Sequence, residues 1–249
     1  MMFFLRSPSR DRRKRNSPLC PLCLCGEEDI LEKLFMDRPS IEVVLFDLGN
    51  VILPFDHRQI GEKLLRYSLR KETEDPRRIF DYLFDLHTGA VNLYETGKMT
   101  SLEFFQSLKA FFHLQMSFDQ FVMVWNDIFT ENTEVSEIVR SLKGKLRLGL
   151  VSNTNALHFD YIASRFPVVH SFERWFLSHE IGFKKPAPEI YRKAIEWAAV
   201  EPEKILFIDD SIANVEAAVS LGMEGLHFVS ARQLEEELSV RLNSRRIPV

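Results

Sequence analysis

The sequence predicts an α/β fold in which a parallel β-sheet is flanked by helices. Three short apolar runs rich in branched residues are typical of buried parallel strands, and they lie at Ile41–Phe46, Leu146–Val151 and Ile205–Ile208. Helical periodicity follows at Pro186–Ala198, Ala213–Leu221 and Ala231–Val240. Shorter strands are predicted at Arg174–Leu177 and Gly225–Val229. This alternation of strands and helices is that of an open α/β sheet.

A long interval between the first two strands lacks this alternation. From about His57 to Lys143 helical periodicity dominates, which predicts a helical insertion. We therefore expect a sheet domain at 39–56 and 139–249 and an inserted helical domain at 57–138. Six phenylalanines are expected to pack mainly against each other between the helices of the insertion: Phe104, Phe105, Phe111, Phe112, Phe118 and Phe121.

The N-terminal segment 1–38 has a different composition, which predicts disorder. Its cationic residues are Arg6, Arg10, Arg12, Arg13, Lys14 and Arg15. These charges fit a solvated tail. They also fit a tail that touches phosphate-rich partners or an anionic membrane surface. Prolines interrupt the apolar run that follows, which argues against an export signal, and three cysteines are too few for a structural zinc site. Translation from Met36 is an alternative.

The overall composition favours a protein that acts on small molecules. The formal net charge of the 249 residues is -4, so no nucleic-acid partner is expected. All three cysteines lie within Cys20 to Cys25, which argues against a disulfide framework and favours a reducing, cytoplasmic location. No apolar run approaches the roughly 20 residues of a membrane-spanning helix. The pattern leaves the oligomeric state open.

Polar residues directly after the apolar runs are the candidates for chemistry. Ligands bind outside the carboxyl ends of strands in open α/β sheets. Five candidates follow predicted strands, namely Asp47, Ser152, Asn153, Asp209 and Asp210, and a sixth, Lys185, lies just before a predicted helix. Converging carboxylates repel each other by about 4 kcal/mol per pair at 4 Å and an effective dielectric of about 20. A cation must therefore bind there, and hard oxygen ligands in small number suit Mg²⁺.

These residue types suit phosphoryl transfer through a covalent intermediate. Asp47 would attack phosphorus to form an aspartyl phosphate, while the metal and Lys185 neutralise charge. Ser152 would donate a hydrogen bond to a phosphate oxygen, and Asn153 would contribute its backbone N–H or its amide. Taken singly, each residue also fits a turn or a helix cap. What favours catalysis is that four such segments occur in this order, clustered around the predicted strand ends.

Four motifs resemble those of the haloacid dehalogenase superfamily. They are FDLGNV at 46–51, VSNTN at 151–155, KKP at 184–186 and FIDDSIANVEAA at 207–218. The stretches SNTNxLH at 152–158, LSxxxGxxKPxxxIY at 177–191 and YETGKMT at 94–100 resemble subfamily IA, in particular the bacterial subgroup with α-D-glucose-1-phosphate phosphatase. The resemblance implies a Rossmann-like core with a parallel sheet flanked by helices and an inserted helical (C1-type) cap.

The resemblance also implies roles for individual residues. Asp47 is the nucleophile, and Ser152 and Lys185 hold phosphate. Asp210 is the principal metal ligand with Asp209 beside it. Asp47 itself and the backbone carbonyl of Gly49 also face the metal, while Gly49, Asn50 and Asn153 belong to the phosphate-binding loops.

One position departs from the superfamily pattern. Phosphatases of the superfamily usually have a second aspartate, the general acid and base, where this chain has Gly49. Loss of such a group lowers the rate by about 10² to 10⁴. Asp56 is the candidate replacement, with a helix cap as its other interpretation, and His57 is a second. For His57 and His158 a structural hydrogen bond is the favoured role.

The sequence thus predicts a magnesium-dependent phosphatase. Its expected substrate is a small phosphorylated metabolite, with a sugar phosphate such as glucose 1-phosphate as the leading candidate. Two alternatives are a 2-haloacid dehalogenase, which needs no metal, and a catalytically weak protein that binds a phosphorylated ligand or a partner. The carboxylate pair Asp209 and Asp210 argues against the dehalogenase, because unneutralised carboxylates disfavour an anionic haloacid. Glu95 and Lys98 are candidate specificity residues.

Overall fold

The computed structural model of the chain describes residues 40–69, 75–84 and 89–243. The predictions for segment 1–38 and for a start at Met36 lie outside these residues. Within the described ranges, every helix is too short or too polar to cross a bilayer.

Five parallel strands form one sheet, and they confirm the predicted α/β class. The strands are β1 (Val43–Phe46), β2 (Arg147–Ser152), β3 (Arg174–Leu177), β4 (Ile205–Asp209) and β5 (Glu224–His227). Their order across the sheet is β3-β2-β1-β4-β5. Phe46, the last residue of β1, lies opposite Leu150 of β2 and Ile208 of β4, so the three central strands end close together, β2 at Ser152 and β4 at Asp209. The polar residues that follow them therefore meet at one edge.

Helices occupy the interval between β1 and β2 in the described residues. They are α1 (Arg58–Leu65), α2 (Pro76–Phe84), α3 (Ala90–Glu95), α4 (Ser101–Phe111), α5 (Phe118–Asn126) and α6 (Thr133–Leu142). Local sequence explains where several begin. Thr100 with Glu103 and Ser117 with Gln120 form capping boxes before α4 and α5, and the side chain of Asn132 caps α6.

Aromatic packing between α1 and α5 follows the prediction with one exception. Phe104, Phe105, Phe112 and Phe121 are buried in one cluster with Trp125. Phe118 packs against that cluster while partly exposed. The prediction is wrong for Phe111, which is 47% exposed and stacks on Tyr82 at 4.1 Å. Phe111 is the last residue of α4, where one side of the helix faces solvent.

Helix α6 crosses the predicted domain boundary at residue 138. Its Val135 and Val139 belong to the same buried cluster as Phe46 and Leu150 of the sheet. The packing of α6 thus assigns it to the sheet side, while the division into two domains stays a prediction.

The two segments that connect the insertion to the sheet pair with each other. The N–H of Thr130 donates to the carbonyl of Pro54, and the N–H of Asn132 donates to the carbonyl of Ile52. Phe55 and Phe129 form an antiparallel bridge beside these bonds. The insertion therefore leaves and re-enters the sheet region through one hydrogen-bonded ribbon.

The remaining helices cover both faces of the sheet. They are α7 (Ala156–Arg165), α8 (Ser178–Ile181), α9 (Pro188–Ala198), α10 (Ile212–Val219) and α11 (Ala231–Asn243), with 3₁₀ turns at Pro167–Ser171 and Pro202–Lys204. Alternate residues of β1 enter different clusters: Val44 and Phe46 pack with α6, α7 and α11, whereas Val43 and Leu45 pack with α9 and α10. Because both faces of the sheet are buried, nearly every residue of these strands is apolar.

A buried histidine joins α7 to the insertion. The His158 Nε2 lies 3.0 Å from the carbonyl of Trp125, and its Nδ1 lies 3.1 Å from Asn155 Nδ2. The carbonyl of Trp125 can only accept a hydrogen bond, so Nε2 carries the proton. The Nδ2 of Asn155 can only donate, so Nδ1 is the acceptor. Burial lowers the pKa of His158 to about 3. This confirms the structural hydrogen bonds expected of His158.

Lowering the pH should therefore destabilise the fold through His158. The unfolded ring binds a proton near its ordinary pKa of 6.5, whereas the folded ring stays neutral, so stability falls as pH drops below 6.5. At pH 5 the loss is about 2 kcal/mol. Urea denaturation at pH 7 and pH 5 measures it. His158→Gln should remove this part of the pH dependence, and the surface control His170→Gln should retain it; equal slopes would contradict the assignment.

Candidate active site

Asp47 and Lys185 form a buried ion pair at the end of β1. The backbone N–H of Asp47 donates to Ile208 of β4, which extends the strand pairing to this residue. Asp47 is 7% exposed and Lys185 is 5% exposed. The Lys185 Nζ lies 2.6 Å from Asp47 Oδ1, which also accepts the N–H of Leu48 at 2.7 Å. The pair lies at the edge where the central strands end.

Lys185 contacts three strand ends at once. Besides Asp47, its ammonium donates to Asp209 Oδ2 at 2.7 Å and to the carbonyl of Val151 at 2.9 Å. The amide of Asn153 holds the backbone of Lys185 from both sides: Oδ1 accepts its N–H at 2.7 Å, and Nδ2 donates to its carbonyl at 2.9 Å. Lys185 is thus fixed through both its side chain and its backbone.

Asp209 is fully buried, and its oxygens accept several hydrogen bonds. Oδ1 accepts the N–H of Ser211 at 2.8 Å and the amide of Asn214 at 3.0 Å. Asn214 lies in the first turn of α10, five residues after Asp209. Together with Lys185, these donors satisfy a carboxylate that burial alone would destabilise.

Asp210 is the more exposed member of the acidic pair. Its Oδ2 accepts a hydrogen bond from Asn50 Nδ2 at 3.1 Å, and its carbonyl accepts one from His227 Nε2 at 3.0 Å. Asn50 has a φ of +54°, a left-handed conformation that asparagine tolerates better than most residues. This turn directs the loop after β1 towards the loop after β4.

The three carboxylates fit a divalent cation. Asp47, Asp209 and Asp210 each offer an oxygen, and these atoms lie within 4.8 Å of one another. One ammonium, that of Lys185, balances only part of their charge. A small number of carboxylate oxygens is the donor set that suits Mg²⁺.

Burial also changes the acidity of the central pair. It raises the pKa of Asp47 to about 7, since the attraction of Lys185 offsets only part of the desolvation. Burial opposes the charge of Lys185 as well, but the carboxylates of Asp47 and Asp209 outweigh it and raise the pKa of that lysine. Lys185 therefore stays protonated. An added cation would favour the ionised form of Asp47.

The predicted phosphate-binding residues lie around this pair. Ser152 is buried at the end of β2, directly after the Val151 carbonyl that binds Lys185. Gly49 and Asn50 lie in the loop after β1. The amide of Asn153 is engaged by the Lys185 backbone, which corrects the suggestion that it contacts phosphate. Its backbone N–H stays the predicted donor, and the phosphate roles of the other residues also stay predictions.

The structure argues against Asp56 as the replacement acid. Asp56 Oδ1 accepts hydrogen bonds from the backbone N–H of Arg58 at 3.0 Å and from its Nε at 2.9 Å. These bonds lower the pKa of Asp56, whereas a general acid near neutral pH needs a raised pKa. The contact with the first residue of α1 is a local turn, close to the capping role weighed above. Burial also lowers the pKa of His57, to about 4.

Of the two specificity candidates, Glu95 contacts the loop that carries Lys185. Glu95 at the end of α3 forms an ion pair of 2.5 Å with Lys184, which also donates to Asn92 Oδ1 at 3.0 Å. Gly97, at a φ of +67°, lies so close to His179 that a Cβ would be 2.1 Å from the His179 carbonyl oxygen. Lys98 is exposed. The insertion thus meets the Lys185 segment through α3.

Sequence reasoning missed three residues that shape the site. Asn214 lies inside the motif at 207–218 but receives no role there, although its place in the first turn after two aspartates is a usable signal. Lys184 belongs to the motif KKP at 184–186, but the motif gives it no role of its own. Phe55 was not singled out, and nothing in the local pattern marks its contact with Gly49.

Comparison with known proteins identifies relatives that match most of the chain. The model of the haloacid dehalogenase-like hydrolase family matches residues 41–222. A D-ribitol-5-phosphate phosphatase of Bacteroides thetaiotaomicron is 26% identical over 211 residues, 82% of this chain and 100% of the relative. A phosphorylated carbohydrates phosphatase of Thermotoga maritima is 27% identical over 194 residues, 76% of this chain and 85% of the relative.

A solved structure agrees with these matches. A haloacid dehalogenase family enzyme of Bacteroides thetaiotaomicron, crystallised with magnesium and inorganic phosphate, superposes with a TM-score of 0.66 and 27% identity. The match covers 75% of this chain and 93% of that one. Since the family model covers most of the chain and includes Asp47, Ser152, Lys185 and Asp210, this protein belongs to the haloacid dehalogenase-like hydrolase family.

Proposed function

We propose that this chain is a magnesium-dependent phosphatase that hydrolyses a small phosphorylated carbohydrate through an aspartyl-phosphate intermediate. The observation that carries the proposal is the contact of one buried ammonium, Lys185, with both Asp47 and Asp209, beside the carboxylate of Asp210. Such an arrangement holds an anionic nucleophile ready for an anionic substrate.

Asp47 acts first. Its Oδ1 accepts hydrogen bonds from Lys185 and Leu48, so we assign the attack on phosphorus to Oδ2. Lys185 and Ser152 would bind phosphate oxygens and stabilise their charge during transfer. Asp47, Asp209, Asp210 and the carbonyl of Gly49 would hold Mg²⁺, which neutralises charge when bound. Water then hydrolyses the intermediate and restores the carboxylate.

The substrate class rests on the relatives and on the insertion. One relative is named as a D-ribitol-5-phosphate phosphatase and the other as a phosphorylated carbohydrates phosphatase, and the Bacteroides structure contains magnesium and inorganic phosphate. Asn92, Glu95 and Lys184 present polar groups next to the Lys185 segment, which suits a substrate rich in hydroxyls. Glucose 1-phosphate is our leading candidate.

The test is phosphate release from a panel of sugar and polyol phosphates with Mg²⁺ and with a chelator. We expect turnover of glucose 1-phosphate or a similar ester, its loss on chelation and its return with Mg²⁺. Thermal unfolding supplies an independent readout, because Mg²⁺ should raise the melting temperature of the wild type but not that of Asp210→Asn.

Two outcomes would overturn the proposal. Halide release from 2-haloacids without phosphate release would favour the dehalogenase. Magnesium-dependent stabilisation with no release from any ester would favour a phosphate-binding protein without turnover.

A further inference from the structure

A buried tyrosine connects the two helices that follow Lys185 and Asp209. Tyr191 lies near the start of α9, six residues after Lys185, and its side chain is fully buried. Its hydroxyl donates to the carbonyl of Asn214 at 2.9 Å. Asn214 lies in the first turn of α10, five residues after Asp209. This hydrogen bond therefore joins the segment that carries Lys185 to the segment that carries Asp209.

The side chain of Asn214 continues the connection to Asp209. Its Nδ2 lies 3.0 Å from Asp209 Oδ1 and 3.2 Å from Asp209 Oδ2, so one amide contacts both carboxylate oxygens. Asp209 Oδ2 also accepts a hydrogen bond from the ammonium of Lys185 at 2.7 Å. Since Tyr191 and Lys185 belong to one short stretch of chain, these contacts form a closed circuit that includes the phosphate-binding lysine of the proposed site.

The ring of Tyr191 touches a second support of Lys185. It packs edge-on against Phe207 with a centroid distance of 5.4 Å. The Lys185 Nζ lies 5.6 Å from the centroid of the same Phe207 ring, which is a cation–π distance. A phenylalanine at position 191 would keep the ring contact and lose only the hydrogen bond to Asn214. The substitution Tyr191→Phe therefore isolates the hydroxyl.

The hydroxyl of Tyr191 acts on the site through position and not through charge. Burial raises its pKa, and the carboxylates of Asp209 and Asp47 raise it further. The hydroxyl is therefore neutral and a hydrogen-bond donor at neutral pH. A fully buried hydroxyl needs a partner, and the Asn214 carbonyl accepts its proton.

The position of the Asp209 carboxylate matters for two parts of the proposed site. This carboxylate is fully buried and binds the Lys185 ammonium, which also contacts Asp47. Asp210 is the next residue in the chain, so a shift at Asp209 would displace it as well. A misplacement of about 1 Å can lower a rate by about 10²-fold, so small movements here are expected to be costly.

We propose that Tyr191 is a positioning residue for phosphoryl transfer: through Asn214 it fixes the carboxylate of Asp209, and thereby the ammonium of Lys185 and the side chain of Asp210. This inference rests on the proposed phosphatase function. Tyr191 acts on the reacting groups only through these neighbours.

The first experiment compares the full-length wild type with Tyr191→Phe. We expect kcat for the ester that the wild type hydrolyses fastest to fall by about 10-fold. The Kd for Mg²⁺, measured by isothermal titration calorimetry without substrate, should rise by about 10-fold, because the neighbours of metal ligands set their orientation.

Two control variants separate positioning from other effects. Tyr161→Phe removes the hydroxyl of a partly buried tyrosine on α7, and it should change neither kcat nor the Kd for Mg²⁺. Val139→Ala removes buried apolar volume from α6, so it should lower the melting temperature and leave the Kd for Mg²⁺ unchanged. A variant that merely weakens the fold would behave like Val139→Ala.

The second experiment tests whether Tyr191 acts through Asn214. Asn214→Ala removes the amide that binds Asp209 and keeps the backbone carbonyl that accepts from Tyr191, so its loss of kcat should be at least as large as that of Tyr191→Phe. If the two residues act in series, the double variant should lose no more than Asn214→Ala alone. Multiplication of the two losses would overturn the path through Asn214.

The results distinguish this inference from the proposed function. No hydrolysis of any ester by the wild type would overturn the proposed function and this inference with it. An active wild type, with the same kcat and the same Kd for Mg²⁺ in Tyr191→Phe, would overturn this inference alone. A lower melting temperature of Tyr191→Phe, with both values unchanged, would assign Tyr191 to stability only.

Discussion

Turnover should fall by more than about 10⁴-fold in Asp47→Asn, because the amide cannot form the covalent intermediate. The fold should remain intact. Asparagine has nearly the same shape, its oxygen can still accept from Lys185, and the substitution removes a buried charge that burial disfavours. Phosphate release measures the first effect, and urea denaturation without metal measures the second.

A matched control separates loss of the nucleophile from loss of charge. Asp119 lies exposed in the first turn of α5, and Asp119→Asn should leave turnover unchanged. Phosphate release by Asp47→Asn at the wild-type rate would rule out Asp47 as the nucleophile. Unfolding of the variant would instead assign Asp47 a structural role.

Lys185→Met should have the largest effect on stability. Removal of the ammonium leaves Asp47 and Asp209 buried without their shared cation, and breaking a buried pair in this way costs about 3–5 kcal/mol. The variant should also lose turnover. Urea denaturation in metal-free buffer measures the change, and added Mg²⁺ should restore part of the stability through the same carboxylates.

The neighbouring lysine provides the control for this experiment. Lys184 is more exposed and pairs with Glu95. Lys184→Met should lower the free energy of unfolding by less than Lys185→Met does, because the side chain of Lys184 is 26% exposed and that of Lys185 only 2%. Equal losses in the two variants would contradict a special role for the shared contact of Lys185.

The sheet and the central pair were predictable because they depend on short stretches of sequence. A buried parallel strand must be apolar throughout, so β1, β2 and β4 stand out, and parallel strands bring the residues after them to one edge. Asp47, Asp209 and Asp210 meet for this reason. Lys185 joins them although α8 separates it from the end of β3, and the need to balance the charge of the carboxylates indicated it before any strand position did.

Contacts between distant segments were not predictable. Phe55 reaches Gly49 only because the ribbon with Phe129 fixes its direction, and no periodicity encodes that pairing. Asp56 is a candidate acid by its position alone, and its hydrogen bond with Arg58 becomes visible only in the structure. Phe111 looked apolar enough for the core, but its position at the end of α4 leaves it exposed.

The hydrogen-bonded ribbon has a consequence for how such proteins diversify. The N–H of Thr130 donates to the carbonyl of Pro54, so the two ends of the insertion lie next to each other. Loop-closure entropy grows slowly with length, so a longer, shorter or foreign set of helices could be exchanged there without rebuilding the sheet. If the proposed function holds, recombination at Pro54 and Thr130 would exchange the part of the chain that contacts the substrate and leave Asp47, Asp209 and Asp210 unchanged.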